Sequence, residues 1–187
     1  MLIDLSVKVS KTYTQNAVSN DKMASLGHLG THFDVMNKEF PLRFTKLSGI
    51  IFDVSRTVDN DISLTDTLLS EVRKNDFVMF YTGFINKETY GTKEYFTNHP
   101  QLSNEIIDDL LERTICIIGI DCAGVRRGSE HTPKDQYCAD RGVFIVENLC
   151  NLELLLNGKA FIRFNVNTLP ISFEGMSGLP CRVVAEI

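Results

Sequence analysis

The sequence predicts an α/β protein with a mixed sheet, and three observations carry that expectation. Apolar runs of strand length recur along the chain, helical stretches lie between them, and strands of a second, alternating kind follow near its end. The runs are residues 50–54, 77–81, 115–120 and 143–146. They are continuous rather than alternating, which fits strands covered on both faces.

The first predicted helix spans residues 64–73, with Leu64, Leu68, Leu69 and Val72 on a common face. A second, residues 103–111, follows Pro100 and offers Asn104, Glu105 and Asp108 as its polar side. A third opens at Thr132-Pro133, an N-cap residue followed by proline at the first helical position. Asp135 is then its third residue, and Gly142 closes it. Residues 148–156 form a fourth, stopped by Asn157-Gly158. Phe161, Phe164 and Val166 mark one late strand and residues 181–185 another, which makes the sheet mixed. The longest stretch without clear periodicity is 86–99, read as a surface loop placed to overhang a site.

At 187 residues the chain is expected to form one domain over 1–187, burying about 70% of its unfolded surface. A hydrophobic share of 43% with 23% charged residues is that of a soluble globular protein. The net charge of −5 argues against nucleic acid as a partner. No apolar run approaches the roughly 20 residues that span a bilayer, so no membrane partner is expected. Met1-Leu2-Ile3-Asp4 lacks the features of a secretory signal, which makes a cytoplasmic location the default. Five scattered cysteines without a Cys-x-x-Cys pair read as small buried hydrophobes, with Cys122 the first to check.

Chemistry concentrates in Gly27-His28-Leu29-Gly30-Thr31-His32-Phe33-Asp34. Two imidazoles and a carboxylate form a borderline-hard donor set suited to Zn²⁺, Mn²⁺ or Fe²⁺. His28 and His32 are i,i+4, which a helical turn would place together, whereas His32 and Asp34 are i,i+2 and share a face only in an extended chain. No single regular element satisfies both. Gly27 and Gly30 can take backbone angles closed to other residues, so a bent segment wrapping an ion is inferred. Spacing alone leaves open a loop with two unrelated surface histidines.

His28-x-Gly30-Thr31-His32-x-Asp34 resembles the start of the His-x-Gly-Thr-His-x-Asp-x-Pro-x-His signature of the cyclase family, which includes kynurenine formamidase and isatin hydrolase. Further fragments fall in the family's order: Leu2–Ser6, the strand ending in Thr82-Gly83, Ile118–Asp121, Ile145–Leu149 and Ser177–Ala185. The resemblance implies a layered β/β/α (swivelling-type) domain, assembled as a homodimer or larger homo-oligomer. It assigns one or two divalent ions, Zn or Mn, to His28, His32 and Asp34. A later His and Glu twelve positions apart complete the family's site; here the Glu is Glu147 and the His position holds Asp135. A carboxylate there would favour a harder ion. The signature's Pro is Met36 and its final His, the family's proton shuttle, is Lys38.

Each candidate has a plainer reading. Asp135 could cap its helix instead of binding metal. Glu147 ends an apolar run, where an unpaired carboxylate would be costly and a metal or arginine would offset the cost. His131, four residues before Asp135, is weighed as a displaced ligand and read as a solvated loop histidine, and His99 is read as a turn residue. Arg126-Arg127 reads as a solvated surface pair. Lys38 is the candidate catalytic residue, as a base if its pKa is lowered or as an oxyanion partner if charged. The expected function is metal-dependent hydrolysis of a small amide, cyclic amide or formamide. The alternative is a non-catalytic metal- or ligand-binding protein that keeps the fold.

Overall fold

The computed structural model describes residues 1–11, 26–57 and 61–187. Among these, the strands are β1 (Leu2–Asp4), β2 (His32–Asp34), β3 (Lys46–Asp53), β4 (Asp61–Ile62), β5 (Phe77–Tyr81), β6 (Gln101–Leu102), β7 (Ile117–Ile120), β8 (Phe144–Glu147), β9 (Phe161–Pro170) and β10 (Gly178–Glu186). The helices are α1 (Asp66–Leu69), α2 (Phe84–Lys87), α3 (Lys93–Thr97), α4 (Asn104–Glu112), α5 (His131–Ala139) and α6 (Leu152–Leu156).

The sheet is mixed and closes on itself. Its order runs β10-β2-β8-β7-β5-β3-β9, and β9 pairs back to β10. The buried apolar strands β3, β5, β7 and β8 pair in parallel, while β2, β9 and β10 join antiparallel. β1 extends the sheet from the later half of β10, and β4 and β6 form a small separate pair.

Alternation along the strands sorts the interior into two cores, as the two-residue period of a strand requires. Ile51, Phe77, Met79, Ile117, Phe144 and Val146 meet residues of β2, β9 and β10 inside the closed sheet. Their neighbours Ile50, Phe52, Val78, Phe80, Ile118 and Ile145 face outward and pack beneath α1, α4 and α5. This is the layered β/β/α arrangement. Being covered on both faces explains the continuous apolar runs 50–52, 77–80 and 144–146 within these strands.

Most elements fall where the sequence puts them, with shifted ends. Ser103 caps α4 by accepting a hydrogen bond from the Ile106 amide, and Asn157 and Gly158 end α6 with positive φ angles of 45° and 77°. The helix expected over 64–73 reduces to α1, capped by Thr65. The one expected from 148 begins only at 152, because Asn148 and Asn151 sit at φ 59° and 58°, outside helical backbone. Residues 86–99 are not a plain loop: they carry α3 and two aromatic side chains used below. His99 is buried rather than sitting on a turn surface, with Nδ1 donating to the Pro100 carbonyl at 2.9 Å. Arg126 is also buried: its guanidinium meets Glu130, Asp61 and the Leu102 carbonyl, so it is no solvated surface pair. The five cysteines are unpaired, and burial pushes the Cys122 thiol up, making it inert.

Candidate metal centre

Segment 27–34 is a bend running into a strand. Gly27 and Gly30 take φ +81° and +64°, and the chain then extends as β2, which places His32 and Asp34 on one face. His28 reaches that face from the bend. Its Nδ1 lies 3.1 Å from His32 Nε2 and 2.9 Å from Asp34 Oδ1, and His32 Nε2 lies 3.6 Å from the same oxygen. Four ligands around a divalent ion at roughly 2.0–2.1 Å stand about 3.3 Å apart, so the triangle has the right size.

The second half is assembled from a distance. Antiparallel register puts Glu147, the last residue of β8, directly opposite His32, with Oε2 3.5 Å from His32 Nε2. Helix α5 packs over this strand and contributes His131 and Asp135 from successive turns. His131 Nε2 lies 2.9 Å from Glu147 Oε1 and 3.2 Å from Asp135 Oδ2. The donor atoms of Asp34, His131, Asp135 and Glu147 all fall within 4.8 Å of one another, as do those of His28, His32 and Asp34. Asp34 belongs to both groups.

His131 is therefore not a solvated loop residue. The helix starts at His131 itself, after the 3-10 turn Gly128–Glu130, and no side chain caps it. Asp135 consequently sits in the second turn, buried, and is not a capping residue. Its i,i+4 spacing from His131 was visible in the sequence and is the signal that could have found the second imidazole. Lys38 does not join either group. Met36 takes φ +57°, which a proline ring cannot adopt, and the Lys38 amide turns back to the Val35 carbonyl at 3.0 Å. The ammonium ends 2.7 Å from Asp140 Oδ1 at the far end of α5, with both side chains substantially exposed (37% and 50%). The family's Pro and final His are thus replaced at a turn that leads away from the centre.

The electrostatics favour a cation. Asp34 Oδ1 and Oδ2 and Asp135 Oδ1 are buried without hydrogen-bond partners among the described residues; the His28–Asp34 contact is close but lacks hydrogen-bond geometry. Such orphaned carboxylate oxygens are costly unless they meet positive charge. Burial opposes protonation of His32, yet Asp34 and Glu147 raise its pKa to about 9. Burial likewise opposes His131, and Glu147 and Asp135 raise it to about 10. Burial also raises Asp34, but His32 and His28 outweigh it and hold that carboxyl well below the usual range. Burial and the Asp34 charge push Asp135 well up. The cluster collects protons where a divalent ion would supply the same charge, and its donors fit one.

The centre opens into a cavity of about 460 Å³. Leu26, Met36, Tyr90, Phe96 and Ala123 form its apolar wall, and Thr132, Asn148 and Ser177 add polar groups. Tyr90 and Phe96 come from segment 86–99, which does overhang the site; the Tyr90 hydroxyl also accepts the Gly30 amide at 2.8 Å.

Fold and donor groups together define an α/β protein with a candidate divalent-metal centre beside a small, mostly apolar pocket. The Cyclase family model (Putative cyclase) matches residues 3–127, well over half of the chain, and the chain belongs to that family. No curated protein matches it. Among solved structures, it is similar to a potential metal-dependent hydrolase with cyclase activity, at 21% identity and TM-score 0.74, covering 99% of this chain and 96% of the other. Isatin hydrolase A from Labrenzia aggregata bound to benzyl benzoate matches at 20% identity and TM-score 0.68, covering 84% and 72%. A predicted metal-dependent hydrolase from Bacillus stearothermophilus matches at 19% identity and TM-score 0.69, covering 99% and 97%. At these identities the likeness establishes the fold.

Proposed function

We propose that this protein is a metal-dependent hydrolase of a small neutral amide, cyclic amide or formamide. The observation that carries the reading is the pair of donor groups sharing Asp34 at the mouth of an apolar pocket. His28, His32 and Asp34 would hold a first divalent ion, Zn or Mn, and Asp135 and Glu147 with His131 would hold a second or handle protons. Such an ion polarises an amide carbonyl and brings the pKa of water down to roughly 7.

The remaining roles fall to side chains on the page. Where Asp135 is not holding an ion, its buried carboxyl, pushed up by burial and the Asp34 charge, can give a proton to a leaving nitrogen. Glu147 holds His131 Nε2 at 2.9 Å, which places that half-buried imidazole at the pocket wall as a proton donor. Tyr90, Phe96, Met36 and Leu26 exclude water from the substrate's apolar face. Among the described residues no lysine or arginine lines the cavity, which supports a substrate without a carboxylate of its own. Among the described residues, no helix is long and apolar enough to cross a membrane. Five unpaired thiols support a cytoplasmic setting. The proposal includes a homodimer or larger; exposed Leu42, Leu169, Ile171 and Phe173 around the neighbouring groove support it.

The test combines metal analysis with turnover. The purified protein is expected to carry at least one divalent ion and to hydrolyse isatin or a simple cyclic imide, followed by ultraviolet absorbance. N-formylkynurenine, with its charged amino-acid group, is expected to react less. Metal bound with no turnover across all three would replace the hydrolase with a non-catalytic metal-binding protein. Inability to take up zinc at all would end both readings.

A further inference from the structure

His28 and His32 face the same point with different ring atoms. Nδ1 of His32 lies 2.9 Å from the Gly30 carbonyl, which can only accept, so Nδ1 keeps a proton and Nε2, turned toward Asp34 and Glu147, is the ring atom left to bind an ion. The His28 ring is turned the other way. Its Nδ1 faces His32 Nε2 and Asp34, while its Nε2 lies 2.8 Å from Ser177 Oγ. The rings meet edge to face, with centroids 4.9 Å apart and planes at 81°.

We propose that Ser177 is a positioning residue of the metal centre: by accepting the His28 Nε2 proton it aims Nδ1 of His28 at the ion, while His32 binds through Nε2. This rests on the metal-centre reading above and adds the residue that orients the most exposed donor of its first group. His28 is 28% exposed, against 3% for His32, so packing holds its ring less firmly against rotation by half a turn. That rotation would put carbon Cδ2 where Nδ1 now stands and remove a donor from the first group. The bond to Ser177 opposes it, because the flip would also take Nε2 away from the hydroxyl.

Ser177 is itself held on both sides. Its carbonyl accepts the amides of Val35 (2.9 Å) and Met36 (3.0 Å), just beyond Asp34. The next residue, Gly178, donates its amide to the Leu26 carbonyl at 2.7 Å, one residue before the bend. The bend packs so closely there that a Cβ on Gly27 would stand 1.9 Å from the Gly178 carbonyl oxygen. The hydroxyl is therefore fixed relative to the two backbone segments that carry the first three donors. A serine 149 residues from His28 in sequence thus sets which nitrogen that histidine presents.

The test uses zinc with the full chain. Zinc affinity is measured by competition with a chromophoric chelator for the parent protein, Ser177→Ala and Ser177→Thr. Long-range proton–nitrogen correlation spectra of labelled histidines report the tautomers with and without zinc. The expected results are a roughly 10- to 100-fold weaker affinity for Ser177→Ala, recovery in Ser177→Thr, and His28 as the Nε2–H form with Nδ1 on zinc. The melting temperature without zinc should be the same for parent and Ser177→Ala, which separates positioning from loss of fold. Equal zinc affinity in parent and Ser177→Ala, or His28 bound to zinc through Nε2, overturns the proposal alone. A parent that binds no zinc overturns the metal-centre reading and this proposal with it.

Discussion

His28, His32 and Asp34 come from seven consecutive residues, whereas His131, Asp135 and Glu147 come from a helix and from the strand that follows it. The first group needs only a bend and a strand, so its geometry is written in local spacing. The second depends on where a helix begins and how it lies against β8. Asp34 joins the two, so the halves differ in origin but share one carboxylate.

Three substitutions and one titration test that contrast. Asp34→Asn removes the shared charge while keeping the shape. It should weaken zinc by more than the roughly 100-fold that outer-shell changes cost, and metal analysis should find no tight ion; one retained would separate the halves completely. His131→Ala should leave a single zinc per chain, bound by the local half, and lower turnover. In that variant, free zinc about 100-fold above the Kd of its one site should add about 2.7 kcal/mol and raise the melting temperature by ~5–10 °C. If His131→Ala loses every ion, the halves are one unit.

The third check is a pH profile near the assembled half. His99 is buried, and burial lowers its pKa to about 4, with Arg127 adding to the effect and the Pro100 carbonyl opposing it. Between pH 6.5 and 4 the unfolded chain takes up a proton that the folded chain refuses. Stability therefore falls as pH drops through that window, by up to about 3 kcal/mol. His99→Gln should flatten that part of the curve in chemical denaturation; identical slopes would place the acid sensitivity elsewhere. The smallest effect is expected at Lys38. Breaking its exposed pair with Asp140 should leave the melting temperature nearly unchanged, and Lys38→Ala should leave metal content and kcat unchanged. A clear fall in kcat would bring Lys38 back to the reaction.

The strands were legible because two covered faces leave only apolar choices, and the donor bend because two glycines flank its histidines. The start of α5 was not. Thr132-Pro133 has the chemistry of a helix opening, yet the preceding 3-10 turn lets the helix begin two residues earlier without a cap. That shift put His131 on the loop side of the boundary and Asp135 in the wrong turn. Arg126 was misplaced because its partner Asp61 lies 65 residues away in sequence. Ser177 carries no local mark at all, since its role exists only once β10 lies beside β2.

The pairing of β10 has a kinetic meaning as well. That strand touches β1, β2 and β9, so the sheet closes only when residues 178–186 dock against segments more than a hundred positions earlier, among others. Contacts of such separation form late in folding. A refolding chain should therefore gain its tight affinity for zinc only in the last phase, making ion uptake a stopwatch for closure of the sheet.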